Sequence, residues 1–245
     1  MTKYFSDTLN VISHIHPETF PFPHGVTTNC LPDFIYKELV ATRPGFVVEN
    51  GGNNKRYDIN AIQALQGELP PIWRDFIEYH TSKDFYHQIL IRFQDDFQEF
   101  YPELKGMKDY KVGRRFDGSD SDIFLECQIS INTPVTTKGT VAPPHVDNPN
   151  SLWASLLYMK EEGDDAGGDL VLHKCVRAPK FHGKRNCPVE LVRPVAKIPY
   201  AANTYACFIN SPVSVHSVTD RDVTDKQRLM VNITLEFNEK KLFEV

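Results

Sequence analysis

At 245 residues, 41% hydrophobic and 24% charged, the chain is long enough to bury a substantial core, and a single domain over 1–245 is the expectation. A net charge of −5 provides no global positive field, which argues against nucleic acid or an anionic membrane as the main partner. No apolar run approaches the ~20 residues of a membrane span, the N-terminus lacks the blocks of an export signal, and the scattered Cys30, Cys127, Cys175, Cys187 and Cys207 read as free thiols, so a cytoplasmic protein is expected.

The first 30 residues, rich in Pro, His and aromatics without a clear period, are expected to wrap over the surface. From there to about 108 the patterning is helical. Leu31-Pro32-Asp33 starts a helix that ends before Pro44-Gly45, and a second candidate covers 59–65. Pro70-Pro71 opens a third, with Ile72, Trp73, Phe76 and Ile77 on one face, and Thr81-Ser82 caps a fourth over 85–100. Together they make 1–117 a helical support region laid over a sheet, and the small, acidic residues of 116–122 read as a linker.

Beyond the linker the period changes to two. In 124–132, Glu126, Gln128, Ser130 and Asn132 alternate with Leu125, Cys127, Ile129 and Ile131, as in a strand with one polar and one apolar face. Further strands are expected at 152–159, 169–173, 189–195, 204–210, 213–218 and 227–237, separated by turn signals at Pro143-Pro144, 163–168, Pro199 and 220–225. Short strands so spaced predict a sandwich or barrel over 123–238, giving a mainly β protein with N-terminal helices. In the last strand Leu229, Val231, Ile233, Leu235 and Phe237 share one face, while Arg228, Met230, Asn232 and Thr234 share the other. If the apolar face packs under the helices, Arg228 points into the barrel, where a guanidinium requires an anionic partner. The formal glycosylation sequon Asn232-Ile233-Thr234 falls inside this strand and reads as unmodified. Trp73 and Trp153 read as core.

The chemistry concentrates in His145, Asp147 and His216. Two residues one position apart project to the same side of an extended segment, so His145 and Asp147 can bind one ion, with His216 arriving from a spatial neighbour. Two imidazoles and a carboxylate are the facial ligand set of non-haem iron(II), with coordination positions left open. Arg228, twelve residues after His216, is placed to hold the far carboxylate of a 2-oxo acid on the same metal. A zinc site from Cys175, Cys187, His173 and His182 has no usual ligand spacing.

The segments A-P-P-H-V-D-N (142–148), L-L-Y-M (156–159), G-G-D-L-V-L (167–172), N-T-Y-A-C-F (203–208), V-H-S-V (215–218) and R-L-M-V-N-I (228–233) resemble the iron(II)/2-oxoglutarate-dependent dioxygenase superfamily in its prolyl hydroxylase-like branch. The resemblance covers about 110 residues in the family's order. It implies a double-stranded β-helix, a jelly-roll or cupin-like barrel, in which His145, Asp147 and His216 bind iron and Arg228 binds the C5 carboxylate of 2-oxoglutarate. It also implies O2 as cosubstrate and ascorbate as a supporting reductant. The chain departs from the family in its longer His216-to-Arg228 gap and in having Met230 where a Ser or Thr is common, so Gln128, Asn132 and Tyr158 are further candidates for holding the carboxylate. Retention of Asp147 favours hydroxylation, desaturation or ring closure over halogenation.

The 174–197 segment holds seven basic residues and one acidic one, and Arg177 and Lys180 within it, with Arg221 in the turn after His216, are candidates for an anionic or carrier-linked small-molecule substrate. A solvated basic loop explains the same composition. Two other readings stay open: a non-catalytic jelly-roll carbohydrate-binding module, and a cupin-type metalloenzyme that does not use 2-oxoglutarate. Arg228 on the polar strand face distinguishes them, because neither needs a carboxylate clamp there.

Overall fold

The first strand, β1 (His24–Thr28), already departs from the expected surface wrap: it pairs with a strand near the other end of the chain. The structure, a computed structural model, describes residues 7–45, 52–140, 142–179, 181 and 183–245. In chain order the further elements are α1 (Asp33–Ala41), β2 (Arg56–Ile59), α2 (Ala61–Gln66), α3 (Pro71–His80), α4 (Lys83–Phe100), β3 (Val112–Arg114), β4 (Ile123–Asn132), β5 (Ser151–Tyr158), β6 (Leu170–Cys175), β7 (Val192–Ile198), β8 (Thr204–Ile209), β9 (His216–Val218) and β10 (Arg228–Glu236). The larger sheet runs β1-β8-β5-β10-β4-β2, with β3 parallel to β4, and the smaller sheet runs β7-β6-β9.

The helices start where local chemistry dictates. Asn60 and Gln63 form a reciprocal capping box at α2, Pro71 occupies the first turn of α3, and the Ser82 hydroxyl accepts from the Phe85 N–H at 3.2 Å to cap α4. Their apolar faces cover one side of the larger sheet, where Leu125, Cys127, Ile129 and Ile131 of β4 and Leu229, Val231, Ile233 and Leu235 of β10 are buried. Trp73 is fully buried in this layer with its indole N–H on the Leu39 carbonyl at 3.0 Å. Truncation of such a side chain to Ala costs about 3–5 kcal/mol. Among the described residues no helix is long and apolar enough to cross a membrane.

The opposite side of the larger sheet faces the smaller one. Ala154, Tyr158, Ala206, Phe208 and Met230 meet Leu170, Leu172 and Ile198 there, and this second apolar layer closes one part of the space between the sheets. The rest is a cavity of roughly 400 Å³ whose lining includes Glu126, Gln128 and Asn132 from β4 and Arg228, Met230, Asn232, Thr234 and Glu236 from β10. The alternation in β4 and β10 therefore separates a helix-facing side from a ligand-facing side, as parity requires. Asn232 is buried on that inner side, with its amide donating to the Ser130 hydroxyl at 2.7 Å, so the sequon is out of reach.

Several boundaries differ from the sequence expectation. The 1–117 region supplies three strands of the larger sheet as well as helices. The 116–122 segment is a turn joining the parallel pair β3 and β4, held by the Asp117 and Asp122 carboxylates on local backbone N–H groups. The strand expected at 189–195 begins only at Val192, because Pro188 starts a short 3-10 turn over Val189–Leu191 ahead of β7. In 213–215 the Ser211 and Ser214 hydroxyls bond locally, including Ser214 to the Ile209 carbonyl at 2.7 Å, so strand pairing begins only at His216.

Candidate metal centre

His145 and His216 face each other across a two-residue antiparallel bridge. The N–H of each donates to the carbonyl of the other at 2.9 Å, which brings their ring centroids to 4.4 Å. Each ring is oriented by a second contact: Nδ1 of His145 lies 2.7 Å from the Pro143 carbonyl, and Nδ1 of His216 lies 3.0 Å from the Ser214 carbonyl. A carbonyl only accepts, so in the neutral rings Nδ1 carries the proton and Nε2 keeps its lone pair. Asp147 completes the group with Oδ1 3.8 Å from His216 Nε2, and one ligand atom from each of the three residues lies within 4.8 Å of the others. Burial, followed by the neighbouring His216, lowers His145 to about 4, which keeps its ring neutral as metal binding requires. Among the described residues this is the one cluster of His, Cys, Asp or Glu with such spacing. The alternative with Cys175, Cys187 and His173 does not assemble there, and His182 lies outside the described residues.

Arg228 enters the same cavity from the first position of β10 and is 97% buried, its relative exposure being 3%. Its two terminal nitrogens donate to the carbonyls of Gly168, at 2.6 Å, and Gly167, and its plane stacks on Tyr200 with the guanidinium carbon 3.7 Å from the ring centre. Gly167 and Gly168 have φ of +82° and +77°, so the expected turn at 163–168 ends in a left-handed pair that offers consecutive carbonyls to the guanidinium. Nε of Arg228 is buried without a partner, and no ion pair reaches this side chain among the described residues.

The other predicted residues distribute unevenly. Asn132 pairs across the sheet with Arg228, and its buried Oδ1 has no partner. Gln128 also lines the cavity, but it is four positions away on β4, about 13 Å along the strand, and accepts from Arg56 at 3.3 Å. Tyr158 is buried beneath the cavity, edge-on to Tyr200 at 5.2 Å, and burial raises its hydroxyl well above the ordinary range. Arg177 is exposed and away from the cavity lining, while Lys180 lies outside the described residues. Arg221 is not a solvated turn residue. It is 1% exposed, donates to Asn54 Oδ1 at 2.9 Å and to the Thr133 and Lys226 carbonyls, and lies 3.7 Å from the buried Asp164 carboxylate.

Residues missed in the sequence come mostly from loops and edge strands: Asn54, Arg56, Arg115 and Tyr200. Arg185 belongs to the basic segment, which the structure lays beside the ligand loop through Val146 N–H to the Arg185 carbonyl at 3.1 Å and Cys187 N–H to the Pro144 carbonyl at 2.8 Å.

No protein-family model and no curated protein matches the sequence. Solved structures do. The non-haem epimerase SnoN, in complex with Fe3+, alpha-ketoglutarate and nogalamycin RO, is similar over 96% of this chain and 84% of its own, at a TM-score of 0.52 and 11% identity. HygX from Streptomyces hygroscopicus, with nickel and 2-oxoglutarate bound, is similar over 100% and 90% (TM-score 0.48, 11% identity), and a Pseudomonas putida prolyl-4-hydroxylase over 96% and 99% (TM-score 0.45, 11% identity). With the sheet order above, the likeness to SnoN shows that the chain shares its fold, a double-stranded β-helix of two facing sheets.

Proposed function

We propose that the chain is an iron(II)- and 2-oxoglutarate-dependent dioxygenase that hydroxylates a C–H bond of a small polar molecule, releasing succinate and CO2. The observation that carries this reading is that one cavity contains both an oriented His-Asp-His cluster and a buried guanidinium lacking an ion-pair partner. The donor set fits iron(II): two imidazoles with free Nε2 atoms and one carboxylate, none of them a thiolate. The inner end of the cavity fits the far carboxylate of 2-oxoglutarate. Arg221 and Arg228 are buried there, Asp164 lies 3.7 Å from Arg221, and among the described residues no carboxylate comes within ion-pair distance of Arg228, which leaves its charge for an anion to neutralise.

In this reading His145, Asp147 and His216 hold the metal and Arg228 binds the C5 carboxylate, with Asn132 beside it, its Nδ2 donating to the Asn54 carbonyl at 3.4 Å. Tyr200 and the carbonyls of Gly167 and Gly168 fix the plane of Arg228. Arg221, which lines the same cavity, is held in place by Asp164 and Asn54. The bound metal supplies the oxidative step, in which one oxygen atom of O2 goes to succinate and the other to the substrate carbon. The protein's share is to seat both substrates side by side and to keep the reacting face lined by Phe208, Ala154 and Leu156, away from water.

The test is an anaerobic titration of the iron-loaded protein with 2-oxoglutarate. A weak visible charge-transfer band is expected, followed by succinate release when air is admitted. Absence of both removes the reading and returns the site to a binding module or to a metalloenzyme with another cosubstrate.

A further inference from the structure

The cavity is electrically lopsided. Its Arg228 end holds an excess of buried positive charge, and the region of β4 and β10 farthest from Arg228 holds the opposite. Glu126 and Glu236 are 2% and 6% exposed, and both line the cavity. One guanidinium, the half-buried Arg115, serves them, reaching Glu236 at 3.4 Å. Arg56 does not help, because Asp58 takes its charge at 2.7 Å. The Glu126 carboxylate is held rigidly and is only half used. Oε1 accepts the N–H groups of Ala61 at 2.7 Å and Cys127 at 2.9 Å, whereas Oε2 is buried without a hydrogen-bond partner. Capping α2 accounts for one oxygen and leaves the other unexplained. An ionised carboxylate in that condition lacks a donor.

Strand register places this group relative to the histidines. Glu126 pairs with Thr234, Thr234 with Ala154, and Ala154 with Phe208, whose ring lies 4.7 Å from that of His216. The acidic pair is therefore level with the metal cluster and about 14 Å across the sheet from the β8 backbone under it, three strand spacings away. Between them the lining offers Thr234, Ser155, Asn148 and Asn232, neutral hydrogen-bonding groups suited to hydroxyls.

We propose that the substrate of this site carries a protonated amine that docks on Glu126, with Glu236 as second acceptor, several bonds from the carbon presented to the histidines. The assignment rests on the oxygenase reading above and replaces the anionic substrate expected from the basic segment, whose Arg177 faces solvent while its Arg185 lines the cavity beside the ligand loop and away from the glutamates' strands. A primary ammonium brings a donor to the Glu126 oxygen that has none and a second positive charge to two carboxylates that share Arg115, and the charge-assisted bond in a shielded site is the stronger kind.

The experiment uses nickel-loaded protein with 2-oxoglutarate, which binds without turning over. Its melting temperature and calorimetric affinity are measured against three matched panels: amino sugars and diamines, their N-acetylated forms, and carboxylated analogues. Stabilisation confined to the amines is expected, with affinity falling at least tenfold on N-acetylation. Glu126→Gln keeps an oxygen acceptor for Ala61 and Cys127 and should reduce amine affinity at least tenfold while still melting cooperatively, and Glu236→Gln should act in the same direction. Binding that survives N-acetylation or Glu126→Gln within twofold overturns the assignment, as does preference for the carboxylated panel or an absence of amine binding. If 2-oxoglutarate itself gives no stabilisation, the oxygenase reading fails. If it stabilises and amines are not preferred, only the amine assignment fails.

Discussion

Replacing Gly168 by Ala tests whether the left-handed turn exists to aim Arg228. A Cβ at this position would lie 2.3 Å and 2.5 Å from the terminal nitrogens of Arg228 and 2.7 Å from Arg221 Cγ, so the guanidinium must retreat by about 1 Å to reach van der Waals contact. Two free-energy terms follow. Holding a non-glycine residue at φ +77° costs about 1–2 kcal/mol, and displacing a charged donor from the Gly168 carbonyl costs about 1.5–3 kcal/mol more. Gly163 supplies the control, since it has φ +79° but nothing within 4 Å of its added Cβ. Gly163→Ala should therefore lose about 1–2 kcal/mol of stability and leave 2-oxoglutarate binding unchanged. Gly168→Ala should lose about 2.5–5 kcal/mol and weaken 2-oxoglutarate by about 10- to 100-fold, because the carboxylate clamp has moved. Denaturant midpoints and calorimetric titration of the metal-loaded protein measure the two quantities. Equal losses in the two variants, or undiminished 2-oxoglutarate affinity in Gly168→Ala, would refute the reasoning.

Asp147→Ala and Arg228→Met should divide cleanly: the first lowers metal affinity, and the second leaves it within about twofold while weakening 2-oxoglutarate by about 10- to 100-fold; equal effects on metal binding in paired titrations would contradict the division. Asp164→Asn removes the one buried carboxylate beside Arg221 and Arg228, so stability should fall by about 3–5 kcal/mol while 2-oxoglutarate binds more tightly, opposite signs that a simple loss of fold cannot produce. His80 is fully buried between Phe76 and Phe85, its Nε2 has no partner, and burial lowers it from 6.5 to about 3. Because the folded-state value is depressed, the neutral ring's contribution is complete above pH 6.5 and is lost as pH falls toward 3. At about 1.4 kcal/mol per pH unit this amounts to about 3 kcal/mol between pH 6.5 and pH 4. Urea midpoints across that range should fall less steeply in His80→Phe, and parallel slopes would sink the assignment.

What could be read in the sequence was what one strand or one short segment encodes. The alternation in β4 and β10 is a local, period-two signal, and it placed Arg228, Asn132, Gln128 and Glu126 on the inner face without knowledge of their neighbours. The spacing of His145 and Asp147 is equally local. His216 became a credible third member through family order, and its place is fixed by the bridge to His145. Short edge strands carry far less signal. β2 alternates only between exposed and half-buried positions and β1 contains Gly25, so both owe their conformation to the ladders they join, β2 on β4 and β1 on β8.

Arg221 shows why a charge cannot be assigned from its neighbours in sequence. Flanked by Asp220 and Asp222 in a polar turn, it reads either as a substrate contact or as a solvated charge, yet its guanidinium is enclosed by Asn54, the Thr133 carbonyl and Asp164, residues that lie 57 to 167 positions away. The same non-local enclosure gives Glu126 its meaning. Parity alone made it one more polar residue on an inner face, and half-use of its carboxylate appears only when Ala61, from the start of α2, is seen to satisfy one oxygen and leave the other. Arg228 and Glu126 differ in just this respect. The guanidinium signals its ligand by sign and parity, whereas the carboxylate does so only after every hydrogen bond around it has been counted.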